Sequence, residues 1–107
     1  MKKLSICALA FCVAAPFASV MYAAAPASAT YSAKCAMCHG PDGRANSPVG
    51  KAMKVPDYKS PAVMKMTDAE LVATITKGKG KMPAFGSRLS ADEIQGLAKY
   101  VRTLQKK

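Results

Sequence analysis

No tryptophan occurs in these 107 residues, there is a single histidine, and six acidic side chains face sixteen basic ones. The one histidine, His39, has no second Cys/His pair after it, so the four-ligand spacing of a zinc site is missing. Ser/His/Asp arrangements, paired carboxylates and glycine-rich phosphate loops are absent as well, which removes the usual grounds for hydrolysis or group transfer. A net charge of +10 could suit nucleic acid. However, no helix-turn-helix, zinc-finger or aromatic-plus-basic pattern accompanies it, so nucleic acid is not an expected partner. No segment alternates with period two. The strand-rich setting of a thioredoxin-like dithiol pair is therefore lacking, and the chain reads as all-α.

What is present is concentrated in Cys35-Ala36-Met37-Cys38-His39. Two cysteines three residues apart, followed at once by histidine, fit the Cys-x-x-Cys-His pattern of covalent c-type haem attachment. On a helical turn, positions i, i+3 and i+4 share one face. Cys35 and Cys38 can thus reach the two vinyl groups of one porphyrin while His39 projects toward its iron. One haem c, bound covalently, is the expected cofactor.

The N-terminus reads as a secretory signal: Met1-Lys2-Lys3 is a short positive region, Leu4 to Ala15 is apolar, and small residues follow. We assign residues 1–25 to this leader, with cleavage expected between 23 and 29, and residues 26–107 to a single domain. A periplasmic location follows. The alternative is an uncleaved anchor, since Leu4 to Ala29 could just span a bilayer. Removing the leader takes two of the four cysteines with it and leaves only Cys35 and Cys38, so no structural disulfide is expected. A domain of roughly 80 residues has a marginal core, which a bonded porphyrin would complete.

Helix signals dominate the rest. Thr30 to Met37 suits a short helix running into the motif, with Tyr31 and Ala33 to Ala36 as packing positions. Gly40-Pro41-Asp42-Gly43 ends it in a turn, and Arg44 to Pro56 reads as a loop along one haem edge. Ser60-Pro61 opens one turn through Met64. Capping boxes at Thr67-Asp68-Ala69-Glu70 and Ser90-Ala91-Asp92-Glu93 open two further helices. The first stops at Gly78. The second carries Ile94, Leu97, Ala98, Val101 and Leu104 as one apolar stripe, with Gly96 expected where it crosses the first helix of the domain.

Between those two helices lies Gly78-Lys79-Gly80-Lys81-Met82-Pro83-Ala84-Phe85-Gly86. Iron that cycles electrons with little rearrangement needs a sixth ligand, and a thioether is a soft donor that raises the potential. Met82 is placed for this role. Met53 and Met64 compete with it, and a vacant or water-filled position is the remaining alternative.

These residues together resemble the small soluble class I c-type cytochromes, both photosynthetic and short bacterial members. The likeness runs from about Thr30 to Leu104 and is strongest in Met82 to Ser90. It implies about four short helices wrapped round one haem, with N- and C-terminal helices crossed, Cys35 and Cys38 as thioether points, and His39 and Met82 as axial ligands. It also makes Pro48 the candidate whose carbonyl orients the histidine ring.

The implied activity is one-electron transfer with no small-molecule substrate, so catalysis is not expected. Many photosynthetic members are acidic or near neutral, whereas this chain is strongly basic. Lys51, Lys54, Lys77, Lys79 and Lys81 could form a collar that docks on acidic oxidases, reductases or peroxidases. A monomer is expected. The alternatives are a haem enzyme or gas-binding protein with a labile sixth site, and an electron-entry subunit of a larger oxidoreductase complex.

Overall fold

The computed structural model describes residues 12–14, 16 and 25–107. The expected leader and its anchor alternative lie mostly outside them. Among the described residues six helices follow one another: α1 (Ala27–Lys34), α2 (Ala36–His39), α3 (Pro48–Ala52), α4 (Pro61–Met64), α5 (Asp68–Lys77) and α6 (Ala91–Gln105). Among the described residues there is no strand, only an isolated antiparallel bridge between Lys79 and Met82.

Each long helix begins where its cap dictates. Thr67 Oγ1 accepts from the Glu70 amide at 3.1 Å while Glu70 Oε2 accepts from the Thr67 amide at 2.8 Å. Ser90 and Glu93 repeat the exchange at 3.1 and 3.2 Å. Two amides that the helix itself leaves unpaired are thereby bonded at each start. α5 stops at Gly78, whose φ of 73° suits a residue without a Cβ.

α6 packs on both α1 and α5. Its stripe Ile94, Leu97, Ala98, Val101 and Leu104 is buried as expected, together with Tyr31 from α1, Leu71 and Ile75 from α5, and Phe85 and Leu89 from the connecting loop. Gly96 faces α1, where a Cβ would stand 3.8 Å from that of Ala27. That is ordinary contact, so the crossing tolerates glycine without requiring it. Near the end of α6, Arg102 pairs with Asp68 at 2.9 Å and also donates to the Met66 carbonyl. Gln105 Nε2 reaches the Tyr58 carbonyl at 2.9 Å. The C-terminal helix thus straps the segment from residue 58 to residue 68.

Two local expectations change. The first helix begins at Ala27, before Thr30, and breaks at Cys35, so the motif lies on its own turn. Its buried side chains are Thr30 and Tyr31, while Ala33 is exposed. The stretch read as a featureless loop contains α3, opened by Ser47, whose Oγ accepts from the Gly50 amide at 3.0 Å, with Pro48 at the first helical position. Ser-Pro was the available signal there, the same one that marks α4.

Candidate haem-binding site

Cys35, Cys38 and His39 come together on α2 and the residue before it. The Cys38 and His39 amides both bond the Cys35 carbonyl, at 3.2 and 3.0 Å. This single turn closes on Gly40, which bonds back to Ala36 at 2.8 Å with φ of 76°. Its two thiols are half-buried, and the intervening Met37 is 73% exposed. Met37 thus points away from the face the motif uses, as the helical spacing requires.

Burial raises the pKa of the Cys35 thiol, with smaller contributions from Lys34, which lowers it, and Cys38, which raises it. A reactive or metal-binding cysteine needs the opposite shift. Among the described residues no group of three or more His, Cys, Asp or Glu could hold a metal ion. Burial also lowers the pKa of the His39 imidazole. The ring is held in the neutral form that has a lone pair to give.

Around this turn the chain is packed to the limit. Ser47 Oγ donates to the Met37 carbonyl at 2.8 Å, and the Ala45 amide bonds the His39 carbonyl at 2.8 Å. A Cβ on Gly50 would stand 2.8 Å from the Ala45 carbonyl oxygen and closer still to that of Cys38. Tyr31 Oη donates to the Gly40 carbonyl at 2.7 Å from a ring 1% exposed. Burial pushes that phenol up to about 12, so it stays a donor. Tyr58 stacks on His39 with ring centroids 4.9 Å apart. Sequence reasoning read Gly43 only as a turn residue and missed the contacts of Tyr58 and Gly50, which no periodic pattern announces.

The Met82 loop is positioned just as firmly. Lys79 and Met82 exchange both backbone bonds, 3.2 and 2.9 Å, across a turn in which Gly80 has φ of 57°. The chain then returns to α5, with the Phe85 amide bonding the Ile75 carbonyl and the Gly86 amide that of Thr76, both at 3.0 Å. Gly78 lies against this return. A Cβ there would meet the Ala84 nitrogen at 2.9 Å and the Met82 carbonyl oxygen at 2.5 Å. Met82 is half-buried against the core, whereas Met53 and Met64 are 42% and 49% exposed. Lys51 and Lys54 are exposed at the end of α3, and Lys77, Lys79 and Lys81 are exposed around Met82.

His39 Nδ1 is buried and has no hydrogen-bond partner among the described residues, and Pro48 stands at the first helical position of α3. A haem fits the residues present. The site combines two thiols and a neutral imidazole on one turn, a buried imidazole nitrogen without a protein partner, and a thioether on a pinned loop.

Comparisons with known proteins point the same way. Residues 23–101 match the family described as cytochrome C oxidase, cbb3-type, subunit III. Cytochrome c6 of Leptolyngbya boryana is 40% identical over 78 residues, covering 73% of this chain and 88% of that protein. Cytochrome c6 of Microcystis aeruginosa is 41% identical over 71 residues, 66% of this chain and 84% of that one. The cbb3-type cytochrome c oxidase subunit FixP of Azorhizobium caulinodans is 40% identical over 75 residues, which is 69% of this chain but 25% of FixP. Among solved structures, the KustC0563 c-type cytochrome superposes with a TM-score of 0.69, covering 76% of this chain and 99% of that one. At 23% identity, that likeness concerns the fold. By fold, motif and relatives together, the chain belongs to the small monohaem class I c-type cytochromes, electron carriers with one covalently bound haem c.

Proposed function

We propose that Cys35 and Cys38 hold the haem by thioether bonds, that His39 and Met82 are its axial ligands, and that the protein is an exported carrier docking on acidic redox proteins. When bound, haem c supplies a one-electron Fe(III)/Fe(II) couple. The chain's own part is to hold a nitrogen and a sulphur donor so that both oxidation states find the same ligands. The observation that carries the reading is the clamped turn at Lys79–Met82, tied to α5 by the Phe85 and Gly86 amides. A ligand on so short and pinned a loop moves little when iron changes charge. His39 and Met82 would together supply the iron's nitrogen and sulphur donors, which would leave no metal position for a substrate.

Export rests on the leader pattern, and no helix among the described residues is long and apolar enough to cross a membrane. An intact mass of protein recovered from the periplasm tests leader removal and haem attachment together. The expected mass is that of a chain starting between Ala24 and Thr30 plus one porphyrin. A full-length mass, or one without porphyrin, overturns the corresponding part.

The lysine collar is the reading for partner choice. Lys77, Lys79 and Lys81 are exposed beside Met82, where they would steer the haem edge onto an acidic surface. Reversing Lys79 and Lys81 to Glu should slow electron transfer to the native partner by roughly tenfold or more at low salt, with the difference vanishing as ionic strength rises. Rates unchanged across salt would remove the collar. The match to an oxidase subunit family and to FixP favours a second reading, an electron-entry subunit bound to an oxidase. Co-purification with a membrane oxidase that high salt abolishes would support it.

A further inference from the structure

The first helix of the domain restricts where the leader can end. Three small-residue triplets overlap ahead of the attachment turn, Ala23-Ala24-Ala25, Ala25-Pro26-Ala27 and Ala27-Ser28-Ala29, and each has the small-x-small form of a leader cleavage site. Locally they compete. The fold separates them, because α1 starts at Ala27, inside the last triplet.

Pro26 opens that helix. It stands in the cap position, and its carbonyl accepts from the Ala29 and Thr30 amides at 2.9 and 3.1 Å, so two amides that a helix start leaves unpaired are bonded. Ser32 Oγ donates to the Ser28 carbonyl at 3.0 Å. Ala27 is half-buried, and its Cβ lies 3.8 Å from where one on Gly96 of α6 would stand. One turn on, Thr30 and Tyr31 are 8% and 1% exposed, and the Tyr31 ring lies 5.0 Å from that of Tyr100 on α6. Tyr31 also donates to the Gly40 carbonyl that closes the attachment turn. The first turn of α1 therefore supports a tyrosine on which that turn leans.

A cut after Ala29 would leave five of the eight residues of α1, less than two turns. A cut after Ala27 would keep seven but remove both the Pro26 carbonyl and the contact with α6. Either cut puts the new terminal ammonium in the first turn of what remains, where the helix dipole opposes positive charge. An earlier cut avoids all three losses. Ala25 is exposed, ahead of the helix, and lines the same cleft as Asp92 and Glu93 at the start of α6, a favourable setting for a terminal ammonium. We infer that the mature protein begins no later than Pro26, the leader being cut within Ala23-Ala24-Ala25 so that α1 stays whole. The inference rests on the chain being exported and processed, and narrows that reading to one triplet.

The test uses the full chain, made with its own leader and matured with haem, and reads intact mass and N-terminal sequence of the protein recovered from the periplasm. The first residue should be Ala24, Ala25 or Pro26. A start at Ser28 or Thr30 would overturn the inference while leaving export in place. A chain still carrying Met1 would refute the leader reading, and the inference with it. Ala29→Leu gives a second, independent reading, since Ala29 is exposed and a larger side chain there has room. With the early cut, processing proceeds as in the parent and the leucine is found in the mature protein. A cut after residue 29 needs a small side chain at that position, so a leucine variant that loses processing and accumulates as precursor would overturn the assignment.

Discussion

Met82→Ala should yield a protein that keeps its haem but loses the weak far-red band of sulphur bonded to ferric iron. Attachment is proposed at Cys35 and Cys38, which lie 44 or more positions away on a different element, so the thioether bonds should survive. Without the soft donor, Fe(II) loses its preferred partner. The Fe(III)/Fe(II) equilibrium should move at least tenfold toward Fe(III), about 59 mV for a one-electron couple. Carbon monoxide, excluded from the parent, should bind the reduced variant rapidly. Main-chain pinning at Phe85 and Gly86 does not involve the Met82 side chain, so the melting temperature should fall less than the potential would suggest. A variant that retains the far-red band would exclude Met82, and Met53 or Met64 would then be replaced in turn.

Gly50→Ala should damage the other side of the site. Helix propensity alone favours alanine within α3 by roughly 1 kcal/mol, and Gly50 does not have a positive φ, so the backbone accepts the change. The obstacle is space. The new methyl would press on the Cys38 and Ala45 carbonyl oxygens, main-chain atoms that have no rotamer to adopt. Overpacking of this kind reaches roughly 3 kcal/mol. The clash therefore outweighs propensity by about 2 kcal/mol, and the melting temperature should drop by roughly 8–16 °C for a domain of this size. Because the displaced carbonyls flank His39, haem incorporation should fall as well. A variant that melts within a degree or two of the parent would show that α3 can slide away from the motif freely.

Local chemistry explains which features were legible without coordinates. A capping box acts within four residues and an apolar stripe within one helix, so Thr67, Ser90 and the face from Ile94 to Leu104 marked α5 and α6 directly. The attachment pattern was likewise readable, because Cys35, Cys38 and His39 lie within one turn. Short elements were harder. α3 has five residues, too few for periodicity, and its Ser-Pro start was passed over between other prolines and glycines. Pro48 was assigned a role toward His39 by resemblance alone, and its place at the start of α3 had no periodic signal to announce it.

Sequence alone determined that this chain makes helices, carries a five-residue haem-attachment pattern, and offers a methionine between two capped helices. Those properties depend on residues adjacent in the chain or one helical turn apart. Only the tertiary structure decided what surrounds these residues. Tyr58 reaches the His39 ring from 19 positions away and is held by Gln105 a further 47 on, while Gly50 makes room for the backbone of the motif. Gly78 and Gly86 press the Met82 loop onto α5. Contacts of this kind follow from how helices pack across one another, and close approach of backbone to ring or carbonyl leaves no repeating pattern along the chain.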